Sequence, residues 1–312
     1  MKTEYNIIWI DDDFGSVEND VAAVRSFLQT HGIAANIQEI ESDGDGKIHE
    51  QVREIVANQD LDLIVVDYVM DGMNGRELID LIRSSDHVFL PVVFYSSVGV
   101  AKLASEVAAA QLDGVYLSPR DGVRNKIELV ITSLIRKEQS SKRTRGLLME
   151  GVSELDAKLL QVLEKIWARS NSMQRGQLTS YFKKKVSDRS KNSAKSLDEF
   201  PTDEEPFWDH ASTKFVSGDY DTMIRWKVIK KGLELVGVDA ELQVVFHELF
   251  EMKSGQPLIP LRNKYGHQTR LEIEKTHADT LCVHIRKELR RQTDNITSIT
   301  DSLQIERSPT DE

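Results

Sequence analysis

The sequence predicts a parallel α/β domain followed by an all-helical one. Ile7-Ile8-Trp9-Ile10 and Ile64-Val65-Val66 are apolar runs that end abruptly in carboxylate, at Asp11-Asp12-Asp13 and at Asp67. Such runs are strands buried on both faces of a parallel sheet. Strand-like runs then alternate with helix-period segments over residues 1–138, whereas only helix-period segments follow. Strict alternation of this kind gives a parallel sheet covered by helices on both faces.

Each element follows in turn. Val17, Val21, Val24 and Leu28 lie at helical spacing, and the helix closes at His31-Gly32. Ala35 to Ile40 reads as strand two, Ile48 to Ala57 as helix two and Leu61 to Asp67 as strand three. Leu78, Ile79 and Ile82 mark helix three. Val92 to Tyr95, Val100 to Ala110, Gly114 to Leu117 and Val123 to Ile135 continue the pattern to five strands and five helices. Glu41 to Gly46 is acidic but lacks the terminal Glu of an EF-hand and the Gly-Lys-Ser/Thr of a P-loop, so it reads as a plain turn.

Ligands of open α/β sheets bind just beyond the carboxyl ends of the strands. If strands one and three are neighbours, Asp11, Asp12 and Asp67 converge there. Three crowded carboxylates repel one another unless a hard cation neutralises them, and Mg²⁺ is the usual one. The expectation is a divalent-metal site holding a carboxylate able to attack phosphorus.

Bulk properties exclude several classes. The chain has 312 residues, 40% of them hydrophobic, and a formal net charge of −11. That charge argues against a constitutively basic nucleic-acid binder. Cys282 is the single cysteine, which precludes an intrachain disulfide and points to the cytoplasm. The first strand begins within a few residues of Met1, so no secretory leader is expected, and no apolar run approaches the roughly 20 residues of a membrane span.

Over residues 5–137 these motifs resemble the receiver domain of bacterial two-component response regulators, a flavodoxin-like fold. Asp11-Asp12 matches the family's acidic pair, and Asp67-Tyr68-Val69-Met70-Asp71-Gly72-Met73-Asn74-Gly75 its phosphoacceptor segment, with Asp71 where proline is commoner. Pro91 to Ser97 matches the strand ending in a switch hydroxyl, here Ser96, and Tyr116 the aromatic switch position. The resemblance implies that Asp67 takes a phosphoryl group from a sensor histidine kinase or phosphotransfer protein. It implies Mg²⁺ held by Asp11, Asp12, Asp67 and the Val69 carbonyl. The family's strand-five lysine falls on Pro119 in Tyr116-Leu117-Ser118-Pro119-Arg120, so that cation is missing. Arg120 is adjacent, but its fork differs from an ammonium in shape and length. Ser118–Pro119 is a candidate cis bond.

Residues 139–146 read as a polar linker, residues 147–304 as a helical output or interaction domain, and 305–312 as a disordered tail. Leu155, Leu159, Leu160, Leu163, Ile166 and Trp167 lie at helical spacing. A mobile insertion is expected near 183–206, where Lys183-Lys184-Lys185 and Asp203-Glu204-Glu205 flank a Ser/Lys/Asn-rich stretch. The lysine run reads as a solvated helix end, with contact to nucleic acid as the alternative. Trp208, Phe215, Tyr220 and Trp226 mark the return of packing. Met223 to Val236, Ala240 to Met252 and Leu271 to Arg291 read as amphipathic helices. His277 and His284 lack further metal-ligand partners.

No basic recognition helix is evident, so DNA is disfavoured as a partner. Arg262-Asn263-Lys264-Tyr265-Gly266-His267 resembles the Arg-Asn-x-x-x-His motif of HEPN domains, helical bundles that include metal-independent ribonucleases. That resemblance implies a homodimer pairing two motifs, with His267 as general acid or base and Arg262 stabilising the phosphorane, and keeps RNA open as a partner. Three functions compete: a phosphoacceptor signalling protein with a helical, non-DNA-binding output, a receiver-gated ribonuclease, and a degenerate receiver serving as a binding scaffold.

Overall fold

The computed structural model describes residues 2–42, 48–58, 60–70, 73–86, 90–109, 112–190, 222–252 and 255–304. The chain divides into two compact units, Met1–Thr144 with Asp279–Arg286, and Arg145–Ala278 with Lys287–Glu312.

The first unit is a five-stranded parallel sheet flanked by helices. Its strands are β1 (Glu4–Asp11), β2 (Ala34–Glu41), β3 (Leu63–Asp67), β6 (Val92–Ser96) and β7 (Val115–Pro119), in the order β2-β1-β3-β6-β7. Strand order reverses between β1 and β3, which makes their carboxyl ends the topological switch point. Alternation along each strand splits the core. Ile7, Trp9, Val65, Val93 and Tyr95 pack with α1 (Glu18–Thr30) and α5 (Val123–Glu138). Ile8, Ile10, Ile64, Val66 and Phe94 face the residues of α2 (Ile48–Asn58), α3 (Gly75–Asp86) and α4 (Val100–Ala109). Helix α1 ends in a Schellman motif: Gly32 at φ 70° lets its own N–H reach the Gln29 carbonyl and that of Ile33 reach Leu28, both at 3.0 Å.

A short antiparallel hairpin, β4 (Val69–Met70) with β5 (Met73–Asn74), follows β3 and has no counterpart in the strand count read from sequence. Its turn, Asp71-Gly72, lies outside the described residues, as do residues 43–47 of the acidic turn. Among the described residues no peptide bond is cis, so Ser118–Pro119 is trans.

The second unit is helical among its described residues. It comprises α6 (Ser141–Arg169, begun in the first unit), α7 (Ser172–Ser190), α8 (Thr222–Val236), α9 (Ala240–His247), α10 (Leu258–His267), α11 (Arg270–Glu274) and most of α12 (Asp279–Ser302). Leu155, Leu159, Leu163 and Ile166 of α6 are buried, as are Val228, Ile229 and Leu233 of α8. Gly232 allows close packing: a Cβ there would lie 2.7 Å from Ile166 Cγ2.

Several boundaries differ from the sequence reading. The polar stretch 139–146 is helical from Ser141; Gln139, Ser141 and Thr144 in it are buried, whereas Ser140, Lys142 and Arg143 are exposed. Lys183 to Ser190 belongs to α7, while residues 191–221, with Trp208, Phe215 and Tyr220, lie outside the described residues. The stretch Ala240 to Met252 is helical only to His247. Leu271 to Arg291 is two helices, because Thr269 and Glu272 form a capping box that starts α11 and the extended backbone of Ala278 restarts the chain as α12. Residues 305–312 also lie outside the described residues. Among the described residues no helix is long and apolar enough to cross a membrane.

Candidate metal centre

Pairing places Ile10 of β1 opposite Val66 of β3, so Asp11 and Asp67 are the next step of adjacent strands. Asp12 is one residue beyond. One carboxylate oxygen from each of the three lies within 4.8 Å of the others. Asp11 and Asp67 are buried and Asp12 is half-buried.

Each buried carboxylate is held on both oxygens. Asp67 Oδ1 accepts the Val69 N–H at 3.0 Å, and Oδ2 accepts from Arg120 Nη1. Asp11 Oδ1 accepts the Asp13 N–H at 2.8 Å, and Oδ2 accepts the Tyr95 hydroxyl. That hydroxyl in turn accepts the Trp9 indole N–H at 3.0 Å, forming a buried chain from indole to carboxylate. Burial, then the hydrogen bond to Asp11, raises the Tyr95 pKa far above its ordinary value, so the hydroxyl stays a donor.

Arg120 supplies the cation that the spacing from Tyr116 seemed to remove. Strand β7 ends at Pro119, and a 3-10 turn over Arg120–Gly122 swings the side chain back over the sheet edge. The guanidinium lies 5.7 Å from the Tyr95 ring centroid and donates to Asp67 and Ser16 Oγ. Its Nη2 is 3.4 Å from Asp11 Oδ2. Burial acts to lower the Arg120 pKa, but Asp11 and Asp67 outweigh it and the net shift is upward.

Three carboxylates against one guanidinium leave two negative charges uncompensated, which suits a divalent cation. Asp67 registers the imbalance. Burial raises its pKa to about 6, against the lowering hydrogen bond from Val69, with Asp11 raising it further and Arg120 opposing. The donors are all hard oxygens, the class Mg²⁺ prefers.

The other residues expected at this site surround it. Ser96, at the end of β6 next to the Asp67–Tyr95 pairing, is buried, and its Oγ accepts the Val98 N–H at 3.3 Å. Val69 is exposed in β4, directly after β3 and Asp67. Tyr116, in β7, is 43% exposed and so faces outward. Gly75 opens α3 against the end of β3, where a Cβ would lie 2.8 Å from the Asp67 carbonyl oxygen.

Arg262 and His267 are not brought together by their helix. Both lie on α10, five residues apart, which turns their side chains about 140° from one another at 3.6 residues per turn. Arg262 Nη1 donates to Asn263 Oδ1 at 3.2 Å, whereas His267 is exposed in the last turn. Tyr265, between them, bonds His277 Nδ1 at 2.8 Å. Asp11, Asp12 and Asp67 are the only metal-competent cluster of three or more such groups among the described residues.

Residues 7–120 match the family model of the response regulator receiver domain. The chain is similar to a solved two-component response regulator from Cytophaga hutchinsonii, at 24% identity and a TM-score of 0.33, covering 42% of this chain and 99% of that one. It is also similar to the RcsB response regulator of Salmonella typhimurium, at 15% identity and a TM-score of 0.31, covering 78% of this chain and 96% of that one. Among curated proteins no match is found.

Proposed function

We propose, from the premise that residues 7–120 are a response regulator receiver domain, that this chain is a signalling protein phosphorylated on Asp67. The donor is a phosphohistidine on a cytoplasmic sensor histidine kinase or phosphotransfer protein. An Asp67 oxygen forms the bond to phosphorus as the donor's P–N bond breaks and imidazole leaves with the bonding pair. The observation that carries this reading is the convergence of Asp11, Asp12 and Asp67 at the switch point.

Receiver domains bind Mg²⁺ at an acidic pocket of this kind. Asp12 and Asp67 would hold the ion directly, Asp11 through water, and Val69 through its carbonyl. When bound, Mg²⁺ neutralises charge that develops on the transferring phosphoryl group. The remaining work belongs to the protein. Tyr95 and the Asp13 N–H orient Asp11, and the Val69 N–H orients Asp67. Ser96 donates to a phosphoryl oxygen, and Tyr116 turns inward as Ser96 moves. Arg120 takes the place of the absent lysine as the phosphoryl counter-ion. The helical unit carries the output.

The scaffold reading is the second choice, and Arg120 favours it, because a guanidinium already lying on Asp67 gives the cluster a resident counter-ion. The ribonuclease alternative is not adopted, since Arg262 and His267 point to different sides of α10. Beryllofluoride with Mg²⁺ separates the first two. Wild type is expected to bind it and Asp67→Asn is not, while failure of wild type to bind Mg²⁺ or beryllofluoride selects the scaffold.

A further inference from the structure

Among the described residues of the helical unit, lysines gather on α7 and α8. Lys184 and Lys185 of α7 and Lys227, Lys230 and Lys231 of α8 line two openings of about 700 and 500 Å³ that share Tyr181 and Lys231 and so form one groove. Glu234 is the single carboxylate lining it among the described residues, and it pairs with Lys231 at 3.3 Å. Five lysines against one carboxylate is a sharp local reversal in a chain of net charge −11.

The lysines are placed rather than scattered. Lys227, Lys230 and Lys231 recur at helical spacing on one face of α8. Lys230 Nζ lies 5.4 Å from the Trp226 ring centroid, and Lys185 Nζ lies 5.0 Å from that of Tyr181. Ring faces attract cations and so hold two of the five charges at the groove. Trp226 is 7% exposed and lines the groove.

We propose that the groove between α7 and α8 binds single-stranded RNA through its phosphate backbone. Lysines stand on both walls of the groove, Lys184 and Lys185 on α7 and Lys227, Lys230 and Lys231 on α8, so several ammonium groups meet a phosphate chain at once where a single small anion would engage only a few of them. Lysine ammonium groups neutralise phosphates without demanding a fixed bidentate geometry. The half-buried Tyr181 ring lines both openings, and a base stacking on it would share the ring with the Lys185 ammonium. Ser180 and Gln177, on the same wall, provide partners for the ribose 2′-hydroxyl.

The test is fluorescence anisotropy of a labelled twelve-nucleotide oligouridine with the full-length protein. Raising salt from 50 to 200 mM is expected to weaken binding roughly 20- to 130-fold if three to five phosphates are neutralised. Combined Lys184→Glu and Lys231→Glu is expected to cost tenfold or more at low salt and to flatten the salt dependence. Tyr181→Ala is expected to weaken binding roughly 5- to 150-fold while leaving that dependence unchanged. Circular dichroism and beryllofluoride binding at Asp67 serve as folding controls, and Lys184→Gln with Lys231→Gln replaces the reversal pair if it fails them. Absence of oligouridine binding overturns the proposal, as does binding unaffected by these substitutions. Equal competition by polyglutamate at matched charge also overturns it, and assigns the groove to an acidic protein partner.

Discussion

The Arg120 guanidinium donates to Asp67, the carboxylate asked to attack phosphorus. It therefore occupies two roles that oppose each other. It neutralises one charge of the acidic cluster, which weakens the pull on a metal ion, and under the proposed function it would lie beside the oxygens of a phosphoryl group on Asp67. Arg120→Ala is expected to bind Mg²⁺ more tightly, about tenfold, because the cluster then has three uncompensated charges rather than two. The same variant is expected to bind beryllofluoride about tenfold less tightly at saturating Mg²⁺. Titrations of both ligands decide it. If neither affinity changes, Arg120 is a bystander.

Asp67 makes stability depend on pH. Its folded pKa is raised from 3.8 to about 6, chiefly by burial. Between those values the folded state binds a proton that the unfolded state has released. Stability therefore falls as pH rises through that window and stays lower above it, by on the order of 3 kcal/mol. Asp67→Asn, which mimics the neutral acid, is expected to melt higher than wild type at pH 7.5 without metal and to lose this pH dependence. Mg²⁺ should restore wild type at pH 7.5 far more than at pH 5. Calorimetric melting across pH 4.5 to 7.5, with and without Mg²⁺, measures each arm.

Tyr95 links the core to the site. Its hydroxyl is both the donor to Asp11 and the acceptor of the Trp9 indole N–H. Tyr95→Phe leaves two buried polar groups without that partner, and a lost buried partner costs about 1–3 kcal/mol. Urea denaturation is expected to show a loss in that range. The variant should also bind Mg²⁺ more weakly, because Asp11 is freed to turn toward Arg120. Unchanged Mg²⁺ affinity in a destabilised protein would make Tyr95 a packing residue only.

How much of this was legible in sequence depends on the kind of signal. Asp11 and Asp67 were visible because a parallel strand buried on both faces is a continuous apolar run, and its end marks the sheet edge. Register along the chain cannot show that a turn doubles back. Counting from Tyr116 put the lysine position on Pro119, yet the 3-10 turn after it carries Arg120 onto the carboxylates. Tyr95 was read only as a strand residue, since its alternation places it in the core and the reach of its hydroxyl is a matter of three dimensions. In the helical unit Thr269 and Glu272 carry the capping-box spacing in the sequence itself, and they start a short helix inside the stretch read as one helix from Leu271. The hairpin Val69–Asn74 is too short to carry any periodicity.

Gly75 tests whether the site's geometry is set by backbone contact. A Cβ at this position would lie 2.8 Å from the Asp67 carbonyl oxygen and 2.9 Å from Val66 Cγ1. The first contact is with backbone at the end of β3, which cannot turn aside as a flexible side chain would. Gly75→Ala must therefore push the start of α3 away from β3, or shift Asp67 itself. Overpacking of this kind typically costs about 1–3 kcal/mol, although alanine favours the helix by up to about 1 kcal/mol. A net loss of stability is expected in urea denaturation, together with weaker beryllofluoride binding than wild type at equal Mg²⁺. Wild-type stability and affinity in this variant would show that α3 yields freely, and that the position of Asp67 is set by Val69 and Arg120 instead.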